Sequence, residues 1–434
     1  MKPSLLFSLI LLLFLMDTQA QTATEFAQIW DKTHITTKFP SDVRHADLKN
    51  YLDHLNKLGL KVEEVGRSNA NREIYQVEFG TGKTKVFMWS QMHGDEPTAT
   101  SALMDMFAYL QTHRDRGWVK TIYQNLTIRA VPMLNPDGEE LYQRRNLQNI
   151  DINRDARDLK TPEARLLKKL RDEWSPDIGF NLHNENERTT VGKTDKQAAI
   201  SLLVVYGDAA KTTNPGHERN KRLVSAMIAA LNNFIPGYLG KYDDEYTATA
   251  FGDNFSAWGT PVILIETGAL HGHDETYLVK MNFVAMLTAL TKLADGSEKT
   301  FPPTLYEQLP DNSSGRIYNF VFRNATIITP GKPDGTIASI GVNTERRRAS
   351  LIGPNRIEQI GNVTRAGLDE YDVSDYYVVQ KFGNLKVGEQ AEFLFYKKNR
   401  KVDWVAADLE KQYPPDAIFS KGKWVKGGAL FAAL

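Results

Sequence analysis

The stretch TKVFMWSQMHGDEPTATSALMDMFAYLQT, residues 84–112, changes its hydrophobic pattern partway along, and that change decides the fold class. Thr84 to Gln91 is an apolar and aromatic run that predicts a strand. From Thr98 to Thr112 the residues Leu103, Met106, Phe107 and Leu110 recur at helical spacing, which predicts a helix with one apolar face. Between them, Ser90-Gln91-Met92-His93-Gly94-Asp95-Glu96-Pro97 is a turn at the C-terminal end of a strand, where open α/β sheets hold their ligands. His93 and Glu96 stand three residues apart there, so an imidazole and a carboxylate can aim at one point. Such a pair is cheap, and a turn with a hydrogen-bonded histidine is the simpler explanation until a third group joins it.

The same alternation continues on both sides. Lys61 to Phe79, Leu126 to Leu134, Ile178 to Leu182, Ile200 to Tyr206 and Pro261 to Ile265 read as strands. Helical patterns cover Thr24 to Leu60, with Ser41 and Asp42 as candidate caps, and also Pro162 to Trp174 and Glu218 to Phe234. Strands and helices at this spacing predict an α/β domain with a mixed, largely parallel sheet and helices on both faces. Helix signals stop near Leu293, and residues 297–313, with Pro302, Pro303 and Pro310, read as a linker. Short β-like runs punctuated by Gly and Pro fill Gly315 to Leu434 and predict a β-rich accessory domain. The expected plan is therefore a leader over 1–20, a catalytic domain over 21–300 and a β-rich domain over 301–434.

Composition removes several function classes. The 434 residues carry 53 basic and 53 acidic side chains, a zero net charge that offers no electrostatic footprint for nucleic acid. The absence of cysteine excludes thiol nucleophiles, iron-sulfur clusters, cysteine zinc sites and disulfides. Residues 1–20, MKPSLLFSLILLLFLMDTQA, place one early cation before an apolar run and end on small residues, the layout of a signal peptide cleaved after Ala20. The apolar run is shorter than the ~20 residues of a membrane span, so no membrane association is expected after cleavage. With no cysteine for disulfides, the expected location is the bacterial periplasm or the medium.

Three further segments carry chemistry. His183, in Phe180-Asn181-Leu182-His183-Asn184, ends another apolar run and could complete a His, Glu, His set for catalytic zinc. Asp151-Ile152-Asn153-Arg154-Asp155, preceded by Arg144-Arg145-Asn146, places a guanidinium beside an amide, a pairing that can grip a carboxylate. Val262-Ile263-Leu264-Ile265-Glu266-Thr267-Gly268 ends a buried run on a carboxylate, which is costly unless that group is paired or used. A buried salt bridge is the bland alternative for Glu266.

Taken together, in this order, the four segments resemble the zinc carboxypeptidases of peptidase family M14. The resemblance spans about Thr24 to Leu293 and leaves the remainder unread. It implies one Zn2+ held by His93, Glu96 and His183, with Glu266 as the general base. It implies Arg144 as the group that stabilises the oxyanion, with Arg145 as rival, and Asp151 as the acid that orients a ligating imidazole. Asn153 and Arg154 would hold the free C-terminal carboxylate of a peptide substrate, and Tyr246 would cap it, with Tyr242 as rival. The loop Asn184-Glu185-Asn186-Glu187-Arg188 is more charged than the family pattern, and the specificity pocket has no match. His271 and His273 follow Glu266 closely and are weaker candidates to approach the site.

The expected activity is removal of C-terminal residues from peptides. The alternatives are a zinc deacylase or amidase of the succinylglutamate desuccinylase and aspartoacylase type, a peptidoglycan stem-peptide carboxypeptidase, and a non-catalytic peptide-binding protein on the same fold. Gly80-Thr81-Gly82-Lys83-Thr84 ends like a phosphate loop, but Val77 stands where its first glycine belongs. No Gly-X-Ser-X-Gly elbow occurs, which disfavours a serine hydrolase.

Overall fold

The computed structural model describes residues 22–329, 332–351 and 353–431, so the leader read over 1–20 lies outside the described residues. The chain divides into two compact units, one running through residue 192 and over 196–313, the other comprising 193–195 and the residues from 314 onward.

The first unit opens with α1 over 22–33 and α2 (His45–Lys57), followed by β1 (Lys61–Arg67), β2 (Glu73–Gly80) and β3 (Thr84–Ser90). Next come α3 (Thr98–Thr112), α4 (Gly117–Asn125), β4 (Leu126–Val131), α5 (Pro136–Leu141), α6 (Pro162–Trp174) and β5 (Ile178–Asn184). After these lie β6 (Thr190–Val191), β7 (Ile200–Val205), α7 (Pro215–Leu231), β8 (Leu239–Lys241), α8 (Phe251–Ala257) and β9 (Val262–Thr267). The unit ends with α9 (Glu275–Asp295), α10 (Thr304–Glu307) and β10 (Asn312–Ser313). Eight strands form one sheet in the order β1-β2-β4-β3-β5-β9-β7-β8. Its centre, β4-β3-β5-β9, is parallel, while β1, β2 and β7 join antiparallel. The α/β expectation is borne out, with a more mixed sheet at its edges than the sequence suggested.

Alternation along β3 shows why the sheet is covered on both sides. Val86 and Met88 enter one core with α3, α7 and α9, whereas Phe87 and Trp89 enter the other with Trp174, Phe251 and Phe255. Helix α9 is long and apolar enough to cross a membrane, but it is mostly buried against α3, α4 and α7. Its composition is that of a core helix.

Three local expectations change. The run Lys61 to Phe79 is two strands, because the chain reverses through Ser68 to Asn71 and Asn71 adopts a left-handed φ of 63°. Ser41 and Asp42 do not cap α2; they lie in a 3-10 turn, and Asp47 accepts instead from the Arg44 N–H at 3.0 Å. Residues 297–313 are no free linker: β10 pairs with β6, and the buried Tyr306 hydroxyl accepts from the Val204 N–H at 3.0 Å. Burial of that aromatic ring outweighs the proline signals around it.

The second unit contains β11 (Ile317–Thr329), β12 (Lys332–Thr344), β13 (Asn355–Gly361), β14 (Ala366–Asp372), β15 (Tyr376–Gln380) and β16 (Phe393–Lys397). The short α11 (Leu409–Gln412), β17 (Ala417–Ser420) and β18 (Lys423–Lys426) complete it. Strands run in the order β13-β12-β11-β15-β16-β17-β18, with β14 also on β11. Phe322, Phe393, Phe395, Phe419, Trp424 and Phe431 pack its aromatic core. The expected strand-rich C-terminal region is present.

Candidate metal centre

The turn after β3 is built for close approach. Gln91 takes a left-handed φ of 50°, and its side chain donates to the Gly94 carbonyl at 3.0 Å while accepting from the Thr100 hydroxyl at 2.8 Å. A Cβ on Gly94 would stand 1.9 Å from the Gly138 carbonyl carbon, so only glycine fits. That constraint aims His93 and Glu96 at the same point.

The parallel centre of the sheet supplies the other groups. Ser90 is in register with Leu182 across β3 and β5, and His183 with Glu266 across β5 and β9. Neighbouring strand ends thus deliver His183 and Glu266 to the edge where the His93 turn sits. The Nδ1 atoms of His93 and His183 lie 2.8 and 2.6 Å from the two Glu96 oxygens. Among the described residues this is the one His, Cys, Asp or Glu cluster able to hold a metal, its ligand atoms all within 4.8 Å of one another. Two imidazoles and a carboxylate are the donor set of catalytic zinc sites, and both Nδ1 atoms face the shared point.

The surroundings support that fit. His93 Nε2 lies 3.1 Å from an Asp151 oxygen, the partner that fixes the ring and leaves Nδ1 free to ligate. Burial alone would push Glu96 up, but the facing His93 and His183 hold it well below the ordinary carboxylate range. Burial also opposes ionisation of Asp151, yet His93 and Arg144 hold it low. Arg144 donates from Nε to Asp151 at 2.9 Å, and its Nη1 lies 3.1 Å from His93 Nδ1 and 3.4 Å from Glu96. Its rival Arg145 turns away and donates to the Asn149 carbonyl.

Glu266 is 7% exposed, and its side chain has no hydrogen bond or ion pair among the described residues. Burial pushes its carboxyl well up, Glu96 and Glu185 push it further, and Arg144 opposes them in part. The buried salt bridge offered as the bland alternative is therefore not formed. Tyr242 lies within electrostatic reach of these carboxylates: the Glu266 charge, burial, and then Glu185 and Glu96 raise its hydroxyl against the opposing Arg144. Tyr246 is half-buried and hydrogen-bonds to none of the site residues among those described. The Asn153 side-chain oxygen accepts from the Phe251 N–H at 2.9 Å, so its amide N–H2 remains the group for a ligand. Arg154 is exposed, with one nitrogen donating to the Asn153 carbonyl at 2.8 Å. His271 and His273 are both exposed, and neither belongs to the cluster.

Glu185 is the residue that sequence reasoning left without a role. It is 8% exposed and accepts from Ser201 Oγ at 2.6 Å and Asn312 Nδ2 at 2.8 Å. Ser201 is the cross-strand partner of Glu266, so the two carboxylates share a neighbourhood. The charged loop was the available signal, but only the pairing of β7 with β9 reveals what Glu185 faces. Burial pushes Glu185 up to about 7 from 4.5. A raised folded-state value gives stability that is complete below about pH 4.5 and lost as the pH rises through about 7. In the metal-free protein, Glu185→Gln is expected to lessen this loss, gaining on the order of 2 kcal/mol relative to the parent between pH 5 and pH 8. Denaturant melts of both proteins across that range check it, and parallel pH profiles would refute it.

Comparison with known proteins agrees with this geometry. Residues 48–222 match the family model for zinc carboxypeptidase, Peptidase_M14, a span that includes His93, Glu96, Arg144, Asp151 and His183. The match bears out the resemblance over three of the four segments, the Glu266 segment lying beyond it, and over this stretch the chain carries the zinc carboxypeptidase pattern. Carboxypeptidase 2 of Trichophyton rubrum is 29% identical over 132 residues, 30% of this chain and 24% of that protein. Carboxypeptidase SOL1 of Arabidopsis thaliana is 29% identical over 100 residues, 20% of each chain. The matched stretch thus spans about a quarter or less of these curated relatives. Among solved structures, a metallo-carboxypeptidase from Burkholderia cenocepacia aligns at 17% identity and a TM-score of 0.48, covering 58% of this chain and 69% of that one.

Proposed function

We propose that the protein is a zinc-dependent metallocarboxypeptidase that hydrolyses C-terminal peptide bonds. The observation that carries this reading is the convergence of His93, Glu96 and His183, backed by Asp151 and Arg144, beside the unpaired Glu266. His93 and His183 through Nδ1, with the Glu96 carboxylate, would hold one Zn2+. The ion would supply Lewis acidity, making a water acidic and polarising the scissile carbonyl. Glu266, buried and without an ion pair among the described residues, would take a proton from a water and return it to the departing nitrogen. Arg144 is tethered by Asp151 with its Nη1 turned to the cluster, and it stabilises the negative charge that develops on the carbonyl oxygen. Asn153 and Arg154 bind the terminal carboxylate through the amide N–H2 and the guanidinium. Tyr242, within electrostatic reach of Glu266, competes with Tyr246 for the capping role. The apolar leader over 1–20 and the absence of cysteine support export to a bacterial periplasm or the medium.

Hydrolysis of matched peptides with free and amidated C-termini tests the proposal. Release from the free acid alone is expected, and equal cleavage of both would end the exopeptidase reading. Faster turnover of N-acyl amino acids than of peptides would favour the deacylase alternative. Arg154→Ala is expected to lower kcat/KM on free-acid peptides by about 30-fold, roughly 2 kcal/mol, the low end for losing a charge-pair partner. The low end applies because Arg154 is solvent-exposed. An unchanged kcat/KM would remove Arg154 from the clamp.

A further inference from the structure

We propose that Asn146, braced by Glu163, is a positioning residue that sets where Arg144 and Asp151 stand at the metal cluster. The kinetic part of this proposal rests on the carboxypeptidase reading. Arg144 and Asp151 lie at the two ends of an exposed turn, and their side chains close it at 2.9 Å. A turn of that kind cannot hold a guanidinium in place by packing, since Arg144, Arg145, Leu147, Gln148 and Asn149 are all exposed. Asn146 is the exception and is fully buried.

Its bonds account for the turn. The Asn146 N–H donates to the Ile150 carbonyl, and its own carbonyl accepts from the Asn149 N–H, each at 3.0 Å. Its side-chain oxygen accepts from the Gln148 and Ile150 N–H groups, also at 3.0 Å. Asn149 adopts a left-handed φ of 59°, a conformation that this enclosed ring of bonds maintains. The Asn146 amide nitrogen then donates to Glu163 at 3.2 Å. Glu163 is itself fully buried in the first turn of α6, and its other oxygen accepts from the Asn69 N–H at 3.1 Å. The neighbouring turn is pinned in the same way, with Ser68, Ala70 and Arg72 all donating to Asp137 at the start of α5.

The catalytic turn is therefore anchored at one buried point to the β1–β2 turn and to α6. Asparagine suits that point because it must accept from two N–H groups and donate to a carboxylate at once. Alanine leaves the Glu163 oxygen and two turn N–H groups without partners, and aspartate would set charge against charge. Either change frees the turn, so Asp151 loses its fixed aim at His93 and Arg144 its aim at the cluster.

The test uses the full chain with Asn146→Ala, Glu163→Gln, Asp151→Asn and the Asn146→Ala/Asp151→Asn pair. Zinc affinity is measured by chelator competition, and kcat and KM are measured on a free-acid peptide. Loosening a ligand's orienting partner costs about 10-fold to 100-fold in metal affinity, and Asn146→Ala is expected near the lower figure. In the Asp151→Asn background the same change is expected to add little, because both act through His93. On the peptide, kcat is expected to fall with KM nearly constant. Glu163→Gln keeps an acceptor for Asn146 and is expected to shift zinc affinity and kcat the same way but less, which keeps the test open if Asn146→Ala fails to fold. Unchanged zinc affinity in a folded Asn146→Ala or Glu163→Gln protein would overturn the proposal, as would losses that multiply in the double variant. If no form cleaved peptides, the carboxypeptidase reading would fail while the zinc measurements still decided this one.

Discussion

Glu266→Gln is expected to lower turnover by roughly 10²-fold to 10⁴-fold while leaving zinc content and substrate affinity near those of the parent protein. The substitution keeps the shape and removes the carboxylate proposed as the base. Glu266 is the last residue but one of β9, in register with His183, and it forms no ion pair among the described residues, so its carboxylate is available to move a proton. Burial and the nearby Glu96 and Glu185 raise its proton affinity, which makes it a better acceptor than an exposed glutamate. Metal analysis and steady-state kinetics on the same preparation separate the outcomes. A variant that folds, binds zinc and turns over near-normally would send the proton elsewhere.

His183→Ala is expected to strip most of the zinc, from about one ion per chain to a small fraction of that after dialysis, because two protein ligands rarely hold catalytic zinc. The metal-free protein should also lose stability. Glu96 is buried and bonds both imidazoles, and burial pushes His183 toward its neutral form, so removing His183 takes a hydrogen-bond partner from a buried carboxylate. The cost of losing a hydrogen bond to a charged group, up to about 3 kcal/mol, is an upper guide, since His93 and Arg144 still face it. Full zinc occupancy in this variant would refute the ligand set. No nearby histidine can take over, because His271 and His273 lie on the exposed loop after β9.

Where hydrophobic period and local chemistry agreed, the elements were legible from sequence. Helices α3 and α6 begin and end at the residues predicted, Thr98 to Thr112 and Pro162 to Trp174. In α6 one face is apolar and Thr161 caps it through the Ala164 N–H, whereas α3, read with one apolar face, is buried all round from Thr98 to Leu110. One misreading was local: Ser68-Asn69-Ala70-Asn71 holds the turn residues that split Lys61 to Phe79, and the turn closes through the Asn71 N–H on the Ser68 carbonyl. The other two turned on contacts far away in the chain, and nothing in a proline-rich 297–313 announces that Tyr306 is buried beneath β7. Ser41 reads as a cap, yet its hydroxyl is taken by Glu275 at 2.6 Å, a partner no local pattern could supply.

The candidate site divides along the same line. By itself the sequence determined the donor types, their order and their placement at strand ends, since a histidine or glutamate closing an apolar run is visible as such. The turn of Arg144 toward the cluster and of Arg145 away from it, the electrostatic reach of the carboxylates to Tyr242, the burial of Glu185 and the anchoring of Asn146 by Glu163 were decided only by tertiary structure. Each depends on strand register and on which side chains lose water together. Register couples residues distant in sequence, and desolvation is a property of the assembled neighbourhood.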